Sequence, residues 1–305
     1  AGLSVAAPPP PGAEPPARRH GRRAGALWRS RGARVTSLLA LPVGWLGVVY
    51  LGSLAVLLVA SFWTLDDFSG QIVKGFSLDN FQTIIDEPVY GRIVWRTVSI
   101  AALVTITDIL LAFPIAFYMA RVARKHTKAL LVVAILMPLW ASYLVKVYAW
   151  RTMFATDGIL NWMLNPLGLD VPTSGYVRVW IVMSYLWLPY MILPIYAGLE
   201  RIPNSLLDAS GDLGAKPWRT FRSVIVPLAM PAIVAGSIFT FSLTLGDYII
   251  PSVVGAPGYF IGMMVYQQQG TAGNLPLAAA FSVVPIVLIG LYLMLARRLG
   301  AFDAL

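Results

Sequence analysis

Four ionisable residues stand inside otherwise apolar stretches of this chain: Asp108, Lys146, Arg151 and Asp247. Each costs about 2.5 to 3.5 kcal/mol to place in a hydrocarbon layer, so such a residue faces a packed interior or a wet pathway and marks a functional position by default. Asp108 lies mid-run between Thr107 and Ile109, with a buried ion pair as its structural alternative. Asp247 lies in L-T-L-G-D-Y-I-I-P-S, directly before Tyr248. Lys146 and Arg151 occur in W-A-S-Y-L-V-K-V-Y-A-W-R, where long cationic side chains can reach a membrane surface and act as interfacial anchors. Aromatic residues crowd the same region: Trp140, Tyr143, Tyr148 and Trp150, then Tyr185, Trp187 and Tyr190. The outer ones suit an interfacial belt. Deeper ones could hold an organic cation over their faces, at about 0.5 to 2 kcal/mol each, and together with Asp247 they would suit an amine.

A second kind of chemistry is written in a polar interval between two apolar runs, Pro203 to Pro227, P-N-S-L-L-D-A-S-G-D-L-G-A-K-P-W-R-T-F-R-S-V-I-V-P. Pro203 cannot lie inside a helix, and Asn204 or Ser205 can cap the first amides of a short helix over Leu206–Leu213. Leu206, Ala209 and Leu213 then share one face, and Asp208 and Asp212, four residues apart, share another. Gly214 is placed to end the helix in a left-handed conformation, and Lys216-Pro217 opens the next one. Two like charges at that spacing favour a cationic partner. Spacing alone fits a solvated connection equally well.

The elements that must position these residues are membrane helices. In 305 residues, 58% are hydrophobic and only 12% charged, which points to an all-α polytopic membrane protein. Six apolar runs, Leu38–Trp63, Ile93–Ala120, Ala129–Phe154, Val179–Leu199, Val224–Val254 and Leu277–Ala296, can each cross about 30 Å of hydrocarbon. Prolines fall inside every run after the first: Pro114, Pro138, Pro189, Pro194, Pro231 and Pro285. They suit bent spans around a pathway, although proline is also simply commoner in membrane helices. Residues 1–37, rich in Pro and Arg, read as a disordered cytoplasmic tail before a membrane domain over 38–305, with no internal repeat.

Charge sets the expected orientation. Seventeen of the 23 Lys and Arg fall in the tail, in 121–128, in the loop 201–223 and at Arg297 and Arg298. The opposite loops carry Asp66, Asp67, Asp79, Asp86, Glu87, Asp157 and Asp170. By the positive-inside rule both termini and the polar interval are cytoplasmic. The net charge of +9 therefore reports topology and not nucleic-acid binding. No cysteine and two histidines make thiol chemistry impossible and a metal site or a Ser-His-Asp centre improbable. There is no Gly-Lys pair, hence no phosphate-binding loop for ATP hydrolysis.

The run Asp208-Ala209-Ser210, three residues, Gly214, nine residues, Val224, one residue, Val226-Pro227 resembles the signature loop of ABC-importer permease subunits, E-A-A, three, G, nine, I, one, L-P. The spacing matches throughout, with Asp208, Ser210, Val224 and Val226 as conservative departures. The resemblance implies a type I importer-permease fold of six helices in a bacterial cytoplasmic membrane. It also implies a coupling helix docked on an ATP-hydrolysing partner, with Leu206, Asp208, Ala209, Ser210, Asp212, Leu213, Gly214 and Pro227 as the coupling residues. The partners implied are a homologous second permease, two ATPase subunits that bind the ATP and Mg, an external substrate-binding protein and membrane lipid. Met137–Trp150, Gly158–Asn161, Leu245–Gly255 and Asn274–Ser282 are further similar to spermidine/putrescine-type permeases, a likeness running from about Arg92 to Arg298. That likeness implies a substrate path through Asp247, Tyr248, Asp108, Trp140, Tyr143, Trp150, Tyr185 and Trp187. Permeases for iron, thiamine or opine-like solutes share parts of these segments. A stand-alone secondary transporter or an intramembrane enzyme using Asp108, Lys146 and Asp247 as relay groups is the alternative from another class.

Overall fold

The computed structural model describes residues 31–66, 68–169, 171–172 and 174–298. The expected tail up to residue 30, and the acidic loop residues Asp67 and Asp170, lie outside the described residues. The chain divides into two compact units, one through Leu57 and one from Leu58.

Helix α1 (Arg31–Trp45) passes through a π-helical segment (Leu46–Leu51) into α2 (Gly52–Ala60), whose last three residues belong to the second unit. The helix starts at Arg31, so seven residues assigned to the tail by sequence are helical.

In the second unit, β1 (Thr64–Leu65) pairs antiparallel with β2 (Ile72–Val73) in a two-stranded hairpin. At the hairpin end, Asp66 Oδ1 accepts from the Phe68 and Ser69 amides at 2.9 Å each, and these hydrogen bonds, Ser69 first, hold its carboxyl below the usual range. Helix α3 (Asp79–Asp86) follows, and Asn80 ties it back by donating to the Ser61 and Trp63 carbonyls at 3.0 and 2.7 Å. Next come α4 (Pro88–Phe117) with a π segment (Tyr118–Val122), α5 (Lys125–Trp140), α6 (Tyr143–Met153) and the short α7 (Ile159–Leu164). They are followed by α8 (Gly175–Glu200), α9 (Asn204–Asp212), α10 (Pro217–Thr220) with a π segment (Phe221–Ile225), and α11 (Val226–Gly246). Three more helices close the chain: α12 (Ile249–Val254), α13 (Ile261–Gly270) and α14 (Leu275–Arg298).

Helices α4, α8 and α11 form the centre. Ala112, Ala116, Met191, Ile195, Ala229 and Ile233 meet in one buried cluster, and small residues set how closely the axes approach. A Cβ on Gly236 of α11 would sit 2.8 Å from the Met191 sulfur and 3.3 Å from its Cα, so a larger residue would force the Met191 side chain and α8 to shift. A second cluster, Ile93, Ile261, Met264, Leu277 and Phe281, seats α13 and α14 against the start of α4.

Among the described residues five helices are long and apolar enough to cross a membrane, and α5 with α6 makes a sixth crossing only as a pair bent by 92°. The straight span expected over Ala129–Phe154 is thus broken at Ala141–Ser142. Pro138, near the end of α5, lacks an amide, and the helix stops two residues later. Its own carbonyl, which would have bonded residue 142 in a continued helix, instead accepts from Lys146 Nζ at 3.0 Å. Lys146 therefore clips the two halves of the broken helix together. The expected span Val224–Val254 is corrected too: its helix begins at Pro217 and ends at Gly246, and Asp247 opens a separate short helix.

Candidate functional site

Two groups of residues stand out. The first is the polar loop. Helix α9 covers Asn204–Asp212, slightly ahead of the expected span, and no side chain caps it. Pro203 occupies the cap position in extended conformation (φ −63°, ψ 139°), while Asn204 is drawn away: its Oδ1 accepts from Arg121 Nη1 at 2.8 Å. The helix ends as the glycine predicts. Gly214 has φ +73°, its amide bonds the Gly211 carbonyl at 2.8 Å, and the Ala215 amide bonds Ser210 O at 3.1 Å, the paired bonds of a Schellman termination. Ser210, which departs from the family pattern, meets the Thr220 hydroxyl at 2.8 Å and closes the loop on itself. Lys216 precedes Pro217 at the start of α10, as expected.

Leu207 turns inward onto the central cluster. Leu206, Asp208, Ala209, Asp212 and Leu213 are exposed, and Leu213 reaches 88% exposure beside Trp218 at 68%. The loop thus presents apolar tips and two carboxylates outward. Pro227 lies beyond it, at the start of α11.

The second group lies where α6, α8 and the α11–α12 junction meet. Tyr143, the first residue of α6, donates its hydroxyl to Asp247 Oδ2 at 2.5 Å. Asp247 Oδ1 accepts from the Ile249 and Ile250 amides at 2.9 and 3.1 Å, capping α12. Tyr143 stacks on Trp187 (6.0 Å, 16°), and Trp187 continues to Tyr190 (6.0 Å). Trp150 meets Tyr185 edge-on at 5.3 Å. Tyr143, Trp150, Tyr185, Trp187 and Asp247 thus come together on neighbouring helices. Tyr248 belongs to another surface: it stacks on Tyr266 (4.8 Å, 11°) and lines a cavity of about 380 Å³ with Gln269 and Ser282. Trp140, 90% exposed at the end of α5, is not part of the cluster.

Asp108 is fully buried in α4, and neither carboxyl oxygen has a hydrogen-bond partner. Among the described residues no cation pairs with it. Its neighbour Thr107 accepts from Trp180 Nε1 of α8 at 3.0 Å. Among the described residues no cluster of His, Cys, Asp and Glu could hold a metal.

Two arginines were missed as structural groups: Arg121 was read only as topology, and Arg96, near the start of the run Ile93–Ala120, was not singled out. Arg96 donates to the Tyr259 carbonyl at 3.0 Å and lies over the Tyr176 ring at 5.4 Å. Arg121 bonds three acceptors around the entry to α9. No periodicity announces either contact, whose partners lie far along the chain.

Residues 93–301 match the family of binding-protein-dependent transport system inner membrane components. This chain belongs to that family. The permease is 50% identical to the inner membrane ABC transporter permease protein YdcU of Escherichia coli K12, over 93% of this chain and 96% of the relative. It is 31% identical to the spermidine/putrescine transport system permease protein PotB of the same strain (86% and 96% covered), and 31% identical to PotB of Haemophilus influenzae (85% and 92%). Among solved structures, a bacterial ABC transporter involved in import of the acidic polysaccharide alginate superposes with a TM-score of 0.67 at 16% identity, covering 91% of the permease and 99% of that chain. The methionine ABC transporter MetNI gives a TM-score of 0.53 at 20% identity (69% and 94%). These likenesses carry the fold. The permease is a multi-pass inner-membrane transport subunit of an ABC importer and not an enzyme; ATP hydrolysis resides in a partner chain.

Proposed function

We propose that the permease imports polyamines of the spermidine and putrescine kind. The observation that carries this reading is the 31% identity to PotB proteins over some 85% of the chain. The Asp247 carboxylate beside Tyr143 and Trp187 supports it, since a carboxylate and aromatic faces suit an alkylammonium group. The substrate path runs past this group, with Asp108 buried in the core and Trp150 and Tyr185 alongside.

The permease pairs with a homologous second permease and two cytoplasmic ATPase subunits that bind ATP and Mg, and an external binding protein delivers the solute. Both termini are cytoplasmic, in keeping with the distribution of Lys and Arg. Closure of the ATPases displaces α9 and shifts the helices between two arrangements, each ligand biasing the one it contacts better.

The test is binding of labelled spermidine and putrescine to the co-encoded binding protein, followed by ATPase stimulation in the assembled complex. Polyamine binding together with stimulation is expected. A receptor that binds neither, but takes up another solute class, overturns the polyamine assignment and leaves the family membership intact.

A further inference from the structure

We propose that Arg121 is a strut that delivers displacement of the coupling helix α9 to the core helix α4; this rests on the reading of α9 as the ATPase-docking element. Arg121 sits in the π segment at the end of α4, and its two terminal nitrogens divide their work. Nη2 donates to the carbonyls of Leu199 (2.6 Å) and Ile202 (2.8 Å) at the end of α8. The α-helical donor for Leu199 would be residue 203, a proline without an amide, so this carbonyl takes the Ile202 amide at 3.3 Å and the Arg121 guanidinium instead. Nη1 donates across the break to Asn204 Oδ1, the first residue of α9. One planar, always-charged group thus joins α4, the end of α8 and the start of α9, a geometry the point charge of lysine cannot reproduce.

The exit of the loop grips the same helix. Phe221, which opens the second π segment, meets Phe113 edge-on at 5.6 Å and Phe117 at 6.2 Å, both on α4, while Trp218 stacks on Phe221 at 5.4 Å. The Ser210–Thr220 bond ties the two limbs of the loop together. The loop is therefore clamped to α4 at entry by charge and at exit by aromatic packing, and both clamps lie on π segments, which depart from regular helix and recur at functional sites. A push on α9 reaches α4 directly, without passing along α8.

The experiment separates the strut from the α8 cap. Asn204→Ala removes only the Nη1 link, and Asn204→Asp replaces it with a charged one. The chain has no cysteine, so a single cysteine at the exposed Val122, which ends the π segment of α4 beside the charged Arg121 and Arg124, reports movement by maleimide labelling in the complete complex, with and without ATP and vanadate. The original chain carrying this cysteine changes its labelling rate with nucleotide. Asn204→Ala should keep ATP hydrolysis but lose the labelling change and lower solute moved per ATP about tenfold, the scale of one charge-assisted hydrogen bond. Asn204→Asp should restore both. Unchanged labelling and stoichiometry in Asn204→Ala, or no nucleotide response at position 122 without the Asn204 substitution, overturns the strut alone. Failure of the permease to co-purify with its ATPase removes the docking reading and the strut together.

Discussion

Tyr143 and Asp247 stand 104 positions apart in the chain and meet through a 2.5 Å hydrogen bond that joins the second half of a broken helix to the end of α11. The bond explains why the break at Ala141–Ser142 has a defined geometry. Tyr143 is held by Asp247 on one side and Trp187 on another, and Lys146 fastens the next turn back to Pro138.

Asp247→Asn is expected to raise the apparent KM for polyamine uptake about tenfold, because the cap of α12 survives in asparagine while the charge beside the aromatic faces is lost. Uptake kinetics in proteoliposomes, alongside ATPase activity of the same complex, provide the check. Unaltered KM would remove Asp247 from the substrate path.

Gly214→Asp and Asp208→Lys should each leave the subunit inserted but abolish ATP-driven uptake. Gly214 has φ +73°, a conformation costing other residues about 1 to 2 kcal/mol, so its replacement unwinds the end of the docking helix. Asp208 is exposed, and its reversal changes only what a partner meets. Normal uptake in both variants would contradict the docking role.

Asp108→Asn should raise the thermal midpoint of the detergent-solubilised complex and at the same time lower uptake. A buried carboxyl without a hydrogen bond is a stability cost that the neutral amide lowers, and on the proposed substrate path its loss should slow uptake. A lower midpoint with normal transport would make Asp108 a structural residue.

Lys146→Met should destabilise the subunit by about 1 kcal/mol, because the Pro138 carbonyl loses its donor at the break. The readout is accelerated proteolysis near residue 141, with Lys146→Arg recovering part of the protection.

The sequence carried what depends on local chemistry. Five of the six apolar runs each fall on a helix long enough to cross, since a chain in lipid must satisfy its own backbone, and Gly214 and Lys216-Pro217 punctuated the loop as their φ preferences demand. What it did not carry depends on direction and competition. Hydropathy has no axis, so the run Ala129–Phe154 hid a 92° bend, although Pro138 stood in it. Asn204 has the chemistry of a cap, but a guanidinium from another helix claimed it first. Asp247 was legible as an expensive residue; that its oxygens hold both a helix start and a tyrosine was not, because the tyrosine comes from a distant segment.

The outward tips of Leu213 and Trp218 are also a solubility liability. If α9 docks on an ATPase as proposed, the permease purified without that partner should self-associate more readily than the whole complex, because two large apolar side chains are left uncovered.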